Sequence, residues 1–304
     1  MSDTAPRKVK ASLLERAAEV YDFAEHARAR GAPVAPPPVT QPLAAPLPIG
    51  PVAKLARRGG VAVIDRALLA ERGLLVPGAA IDALTEEFRL VKRQLLTTAR
   101  TVRRGDADLS RTILVCSAQP NDGKTFCAVN LAISMAAERD VEVLLIDADF
   151  AKPDVMARLG LPDGPGLLDA LADPKVDVER CVVRTDVPQL SLLPCGTKSN
   201  ADTELVASAR TGELIAQLLA ADPTRILIFD SPPVLAASPA SVLANYAGQV
   251  MLVVRADRTG ESDLREAVAL LDGCEHVQLV LNAVAFAPGG RRFGTYYTQE
   301  EDAT

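Results

Sequence analysis

The stretch TILVCSAQPNDGKT, residues 112–125, constrains the fold more than any other part of the chain. An apolar run rich in β-branched residues leads into a loop that contains proline and glycine and ends in Gly-Lys-Thr. A helical pattern follows from Cys127 to Glu138. This strand–loop–helix layout is typical of a phosphate-binding loop, the Walker A motif, with Ala118 where the first glycine usually stands.

A loop of this kind can bind an anion because successive backbone N–H groups point toward one place at the start of a helix. The Lys124 ammonium is predicted to contact the β- and γ-phosphates of a nucleotide, and the Thr125 hydroxyl to bind Mg²⁺. A strand–turn–helix that contains Gly-Lys-Thr by coincidence is the alternative. The other loop residues predicted to contact the nucleotide are Ala118, Pro120, Asn121, Asp122, Gly123 and Phe126.

Strands and helices alternate through the rest of this region. The strand segments are near-continuous runs of Val, Ile and Leu, which is typical of strands buried on both faces of a parallel sheet. We therefore predict an α/β fold of the P-loop NTPase class, MinD/ParA-like, with a mostly parallel sheet flanked by helices. Strands are predicted at 112–117, 142–147, 190–194, 225–230, 249–255 and 277–282, and helices at 124–138, 153–159, 166–172, 202–220, 238–247 and 261–272.

Polar residues follow three of the predicted strands. Asp147 and Asp149 come after VLLI, Asp230 after RILIF, and Asn282 after VQLVL. Ligands of such sheets bind outside the carboxyl ends of the strands, and a buried carboxylate is costly unless it binds something. Because Mg²⁺ prefers carboxylate, water and phosphate oxygens, we predict a magnesium–nucleotide site with Thr125, Asp147 and Asp230 at the metal. The alternative is that the aspartates cap helices.

The composition argues against several classes of protein. Five cysteines without Cys-x-x-Cys spacing and only two histidines argue against a zinc site. A net charge of −6 provides no basic surface, so no nucleic-acid partner is expected. There is no signal-peptide pattern and no apolar run near the ~18 residues of a membrane span, so we expect a cytoplasmic location.

The chain divides into five predicted segments. An amphipathic helical pattern is followed by a proline-rich stretch that cannot form a ladder or a helix and is expected to be a linker. A helix with Leu84, Phe88, Val91 and Leu95 on one face then opens the P-loop domain. The predicted boundaries are 1–30 for the amphipathic segment, 31–52 for the linker, 53–80 for a connecting segment, 81–285 for the P-loop domain and 286–304 for a flexible tail.

Together these motifs resemble the bacterial tyrosine kinases of polysaccharide export, and specifically the exosortase-associated (PEP-CTERM system) tyrosine autokinases. The resemblance covers roughly residues 81–282 and rests on EEFRLVKR, DGKTF, IDADFAKP, GLLD, LLPCG, FDSPPVL and LVLN in that order. It implies ATP and Mg²⁺ as cofactors. It also implies that Lys124, Asp147 and Asp149 are catalytic, that Asp230 holds Mg²⁺ through water, and that Asn282 contacts adenine.

The resemblance also implies an assembly. Glu86, Arg89 and Lys92 look like the Glu-x-x-Arg-x-x-Arg helix through which subunits of the family form rings, with Lys in the last place. These residues are predicted to lie on the face of the helix opposite its apolar stripe. Tyr296 and Tyr297 look like a reduced version of the C-terminal tyrosine cluster, which neighbouring subunits phosphorylate.

The implied partners are protein tyrosine substrates and a membrane chain-length determinant, or polysaccharide co-polymerase, which would recruit the chain to the inner face of the plasma membrane. Three alternatives stay open at this point. The chain could be an ATP-binding scaffold without kinase activity, or a ParA/MinD-type positioning ATPase, although Gln119 stands where those proteins need a lysine. A nitrogenase-reductase-like iron–sulfur protein would need cysteines in a context that this chain lacks.

Overall fold

A seven-stranded sheet forms the centre of the fold in the computed structural model, which describes residues 60–284. The segments predicted at 1–30, 31–52 and 286–304, with Tyr296 and Tyr297, lie outside these residues. The strand order is β3-β4-β2-β5-β1-β6-β7, and every neighbouring pair is parallel except β3–β4. The strands are β1 (Thr112–Ser117), β2 (Glu142–Asp147), β3 (Val183–Arg184), β4 (Leu190–Leu193), β5 (Arg225–Asp230), β6 (Gln249–Arg255) and β7 (Val277–Asn282).

Helices cover both faces of the sheet, so the predicted α/β class is confirmed for the described residues. Two helices precede β1, and a short 3-10 helix, Leu109–Arg111, leads into it. The α-helices are α1 (Arg66–Glu71), α2 (Ala83–Val102), α3 (Lys124–Ala136), α4 (Val155–Arg158), α5 (Leu167–Ala172), α6 (Val178–Cys181), α7 (Asp202–Val206), α8 (Arg210–Ala221), α9 (Pro239–Ala244) and α10 (Glu261–Ala269).

The sequence missed the short elements β3 and α6, and it predicted one helix over 202–220 where there are two. The break falls between α7 and α8, where side-chain hydroxyls bind the carbonyl groups that end α7. Ser208 Oγ donates to the Leu205 carbonyl at 2.6 Å, and Thr211 Oγ1 donates to the Val206 carbonyl at 2.7 Å. Such local bonds compete with the backbone ladder of a continuous helix.

Alternate residues of each central strand pack into two separate cores, one on each face of the sheet. In β1, Leu114 and Cys116 pack with α5, α8 and α9, whereas Ile113 and Val115 pack with α2 and α3. Both sets are buried, which explains why the strand sequences are continuously apolar. Helix α3, which begins at Lys124, is buried along almost its whole length because it lies in the core that α2 also contacts.

Lys92 is not on the outer face of α2, and the prediction that placed it there was wrong. Its side chain is 8% exposed. Its Nζ donates to the Ser134 carbonyl at 2.9 Å, in the last turn of α3, and lies 2.7 Å from Glu138 Oε1. Lys92 follows the buried Phe88 by four residues, so the helical period places both side chains on the inward face.

Glu86 and Arg89 are more accessible than Lys92. Their side chains are 25% and 35% exposed, and they form an ion pair with each other one helical turn apart. The outer face of α2 therefore presents two members of the predicted triad. Separately, none of the helices between residues 60 and 284 has the length and hydropathy needed to cross a bilayer.

Arg225 is fully buried at the start of β5 and joins this strand to three other elements. Its guanidinium pairs with Glu179 of α6 and lies 3.2 Å from Glu142 Oε1 of β2. It also donates to the Leu218 carbonyl of α8 at 2.9 Å. A buried cation held this way is costly to remove, because its loss takes the positive charge from between two carboxylates.

Arg225→Met is expected to lower the free energy of unfolding by about 3–5 kcal/mol in urea titrations, since it breaks a buried pair from one side. The matched control is Arg265→Met, because Arg265 also pairs with a glutamate, Glu261, but both side chains are 77% exposed. The control is expected to cost less than about 1 kcal/mol. Equal losses in the two variants would contradict the structural role assigned to Arg225.

Candidate nucleotide-binding site

The predicted site residues meet at one edge of the sheet because β2, β5 and β1 are consecutive neighbours in it. Asp147 and Asp230 are partners in the parallel register of β2 and β5. The loop at 118–123 leaves β1 at the same end, where β5 pairs with β1 through Val115 and Asp230. This is the edge at which parallel sheets bind ligands.

The backbone of the loop explains its residue types. Asn121 and Gly123 have positive φ values of 67° and 99°, whereas Ala118 is not in the left-handed region. Asparagine and glycine are the residues that adopt this region most readily. Alanine in place of the first glycine of the motif therefore introduces no backbone strain at Ala118.

Lys124 and Asp149 form an ion pair inside the site. Their side chains are 12% and 4% exposed, and Lys124 Nζ also lies 3.4 Å from Thr125 Oγ1. The second oxygen of Asp149, Oδ1, accepts from the Lys152 N–H at 3.1 Å. Lys124, which is predicted to bind phosphates, is thus neutralised by Asp149 in this structure. A phosphate group would have to compete with the Asp149 carboxylate for Lys124.

Asp147 performs the capping function that the sequence left open as an alternative. Its Oδ2 accepts from the backbone N–H groups of Asp154 and Val155 at 3.1 and 3.0 Å, at the start of α4. Its Oδ1 accepts from the Asp149 N–H at 3.3 Å. Burial raises the pKa of Asp147 to about 6, and the charge on Asp149 adds to the rise, whereas the three backbone donors oppose it. Metal binding by Asp147 stays a prediction.

Asp230 has the opposite environment. It is fully buried, and neither carboxylate oxygen has a hydrogen-bond partner among the residues that the structure describes. Burial raises its pKa to about 7, although the nearby Lys124 charge lowers it. The Thr125 hydroxyl also lowers this pKa without making a hydrogen bond of normal geometry. A buried carboxylate without donors, next to a phosphate loop, is suited to bind a cation.

These residues fit Mg²⁺ together with a nucleotide rather than alone. Within residues 60–284, no group of three or more His, Cys, Asp or Glu side chains is arranged to hold a metal. Mg²⁺ is commonly bound by one or two protein oxygens together with phosphate oxygens and water. Thr125 and Asp230 provide the protein oxygens in that arrangement.

Two predicted contacts have other partners in the structure. Asn282, predicted to contact adenine, donates from Nδ2 to the Asp122 carbonyl at 2.9 Å. The ring of Phe126 packs edge-to-face against Phe88 of α2, with ring centroids 6.4 Å apart. Phe126 therefore contacts α2 with its side chain, while its backbone lies in the first turn of α3. Pro120 and Asn121 are exposed at the tip of the loop.

Sequence reasoning missed two residues that contact the loop. Arg255, at the end of β6, donates from Nη1 to the Asn121 carbonyl at 3.1 Å. Asp263 of α10 accepts from Gln119 Nε2 at 3.2 Å. Arg255 carried a signal that went unused, because it ends a predicted strand just as Asn282 does.

Comparison with known proteins gives a consistent group, although no family model matches the chain. The chain is 31% identical to the tyrosine-protein kinase YwqD of Bacillus subtilis over 196 residues, which cover 64% of this chain and 81% of that protein. It is 29% identical to the tyrosine-protein kinase wzc of Salmonella typhimurium over 229 residues, which cover 75% of this chain but only 30% of wzc. The crystal structure of the VpsO kinase domain superposes with a TM-score of 0.53 at 28% identity, covering 64% of this chain and 97% of that domain.

Asp230→Asn is expected to stabilise the protein above neutral pH. The carboxyl has an ordinary pKa of 3.8, and the fold raises it to about 7. Between these values the folded chain binds more protons than the unfolded chain, so the contribution of Asp230 to stability is lost as pH rises through about 7. At pH 8 the variant should gain on the order of 2–4 kcal/mol in free energy of unfolding.

The measurement is a set of urea titrations from pH 4.5 to 8.5 without nucleotide or divalent metal. The exposed Asp163→Asn is the control and should follow the wild type at every pH. If Asp230→Asn lost stability equally across this range, the raised pKa of Asp230 would be wrong.

Proposed function

The chain belongs to the bacterial tyrosine-protein kinases, and we propose that it transfers the γ-phosphoryl group of ATP to C-terminal tyrosines of neighbouring copies. The protein-tyrosine kinase class predicted from the sequence agrees with this family. The observation that carries the proposal is the convergence of Lys124, Thr125 and the unpartnered carboxylate of Asp230 at one edge of the sheet.

In the proposed reaction, Lys124 and the loop N–H groups bind the phosphates of ATP. Thr125 and Asp230, directly or through water, would hold Mg²⁺, which supplies positive charge to the phosphate oxygens. When Lys124 turns to the phosphates, its ion pair with Asp149 opens. Asp149 is then free to orient a tyrosine hydroxyl and accept its proton.

The bond changes balance without a further reactant. The phenol oxygen of the acceptor forms a bond to the γ-phosphorus, and the bond from that phosphorus to the β,γ-bridging oxygen breaks. ADP leaves with the bridging oxygen, and the phenol proton goes to Asp149 and from there to solvent. Lys124 and the loop amides stabilise the charge that spreads over the transferred group.

Tyr296 and Tyr297 are the proposed acceptors, delivered by the tail of a neighbouring copy. Each phosphate adds about −1.5 to −2 charges. The site already contains the carboxylates of Asp147, Asp149 and Asp230, so a phosphorylated tail would be repelled from it. Phosphorylation would thereby loosen a homo-oligomeric ring.

The finer assignment, to the exosortase-associated type, rests on the motifs of the sequence and is part of the proposal. It makes the regulation of exopolysaccharide polymerisation or export the cellular process. It also makes a membrane chain-length determinant the partner, which would recruit the chain to the cytoplasmic face of the membrane. The region shared with this chain covers only 30% of wzc, so the process and the partner assigned here are proposals for this chain.

The contact of Gln119 argues against one alternative, the positioning ATPase. A positioning ATPase would need a lysine at position 119, and the Gln119 side chain there donates to Asp263 instead. An ATP-binding scaffold without transfer activity differs from the proposal only in chemistry, so the experiment below separates the two.

Incubation of the purified chain with Mg-ATP is expected to place phosphate on Tyr296 or Tyr297, with and without the cytoplasmic part of the membrane partner. Mass spectrometry reads the modified peptides. Lys124→Ala should abolish labelling and ATP hydrolysis because it removes the cation at the phosphates. Tyr296→Phe with Tyr297→Phe should abolish tail labelling but keep ATP binding. ATP binding without phosphotyrosine under either condition would instead support the scaffold.

Arg89→Ala and Lys92→Met are expected to have different effects, although both belong to the predicted ring helix. Arg89→Ala should reduce oligomers in light scattering and leave the melting temperature near that of the wild type. Lys92→Met should lower the melting temperature, because Lys92 holds the end of α3 through Ser134 and Glu138. Unchanged assembly in Arg89→Ala would remove the support for a ring built on α2.

A further inference from the structure

Two carbonyl groups of the phosphate loop accept hydrogen bonds from outside the loop. A loop that points its N–H groups at an anion directs its carbonyls the other way, where side chains of neighbouring elements can donate to them. Two consecutive carbonyls are satisfied by side chains from the edge of the sheet. Arg255 Nη1 donates to the Asn121 carbonyl at 3.1 Å, and Asn282 Nδ2 donates to the Asp122 carbonyl at 2.9 Å.

The two donors are fixed relative to each other by the sheet. Arg255 ends β6, Asn282 ends β7, and the two residues are partners in the parallel register of these strands. A third contact comes from α10, the helix that connects β6 to β7, where Asp263 accepts from Gln119 Nε2 at 3.2 Å. The β6–α10–β7 unit therefore contacts the loop at residues 119, 121 and 122.

These contacts lie at the part of the loop whose backbone is in the left-handed region. Asn121 has a φ of 67°, which is uncommon for a non-glycine residue, although asparagine adopts it more readily than most. Asn282 packs so closely that a Cβ on Gly123 would lie 2.0 Å from its Nδ2. The conformation of the loop therefore leaves just enough space for the donor side chain of Asn282 at the end of β7.

We propose that Arg255 is a positioning residue for nucleotide binding, which together with Asn282 holds the two consecutive peptide groups between Asn121 and Gly123 so that the loop N–H groups face the phosphates. This inference rests on the proposed function, because it assumes that the loop binds ATP. Arg255 acts through the backbone of the loop and is not itself a catalytic residue.

The test measures ATP binding by calorimetry on the full chain. Arg255→Ala should weaken ATP binding about tenfold, which corresponds to the loss of one charge-assisted hydrogen bond. Its melting temperature without ligand should stay within a few degrees of the wild type, because the contact lies at an exposed loop. Arg255→Lys, which keeps a donor and the charge, should restore most of the affinity. The control is Arg265→Ala, which removes an exposed arginine on α10 that does not contact the loop.

Two further measurements separate positioning from general structural support. In the kinase assay, Arg255→Ala should raise the KM for ATP, because the loop already binds the phosphates in the ground state. A purely structural loss would instead lower kcat through the folded fraction and leave the KM unchanged. In a double-mutant cycle with Asn282→Ala, the combined loss of affinity should be smaller than the product of the single losses, since the two side chains hold consecutive peptide groups of one loop.

Each result bears on the inference. Affinity in Arg255→Ala within twofold of the wild type, which itself binds ATP, would overturn the positioning role and leave the proposed function intact. A large drop in melting temperature that Arg255→Lys does not rescue would assign a purely structural role and also overturn it. If the wild type did not bind ATP at all, both this inference and the proposed function would fail.

Discussion

The site depends on an imbalance of charge among side chains that are largely buried. Three carboxylates, those of Asp147, Asp149 and Asp230, share one ammonium, that of Lys124, and all three are buried. Asp149 takes the ion pair, Asp147 takes the backbone donors of α4, and Asp230 is left with neither. The pKa values of Asp147 and Asp230 are raised because desolvation, which favours the neutral acid, outweighs the backbone donors at Asp147 and the Lys124 charge near Asp230. An acidic edge of this kind is complementary to a cation. A phosphate loop and acidic strand ends therefore fit one ligand, a nucleotide together with its Mg²⁺.

Much of the fold followed from the sequence because its strands are buried on both faces. In a chain with alternating helices, a short continuous apolar run is best explained as a strand buried on both faces, so the positions of β1, β2 and β5 were predicted closely. Short elements such as β3 carry too few residues to show a period. The break between α7 and α8 depends on hydroxyl contacts of Ser208 and Thr211, which residue type alone does not reveal.

The sequence predicted most of the residues that meet at this edge of the sheet, but not which partner each side chain has. Carboxylate oxygens accept equally from a backbone N–H and from a cation, so the sequence could not separate the cap at Asp147 from the bare carboxylate at Asp230. Lys92 was misplaced because its charge was weighed above its helical spacing from Phe88. The contacts of Arg255 and Asn282 join residues 134 and 160 positions apart, and only the register of β6 with β7 brings them together.

The buried position of Lys92 also changes how assembly and nucleotide binding relate in this chain. Helix α2 contacts α3 near both of its ends, through Phe88 against Phe126 at the start and through Lys92 at the Ser134 carbonyl near its end. Helix α3 begins with Lys124, so the residues that bind phosphate and the residues that hold α2 belong to one short helix. Under the proposed assembly, a neighbouring subunit that binds Glu86 and Arg89 would contact α2, which packs directly against the phosphate-binding helix α3. The basic residue in the third place of the triad therefore joins α2 to α3 within the subunit, so the proposed contact between subunits would depend on Glu86 and Arg89.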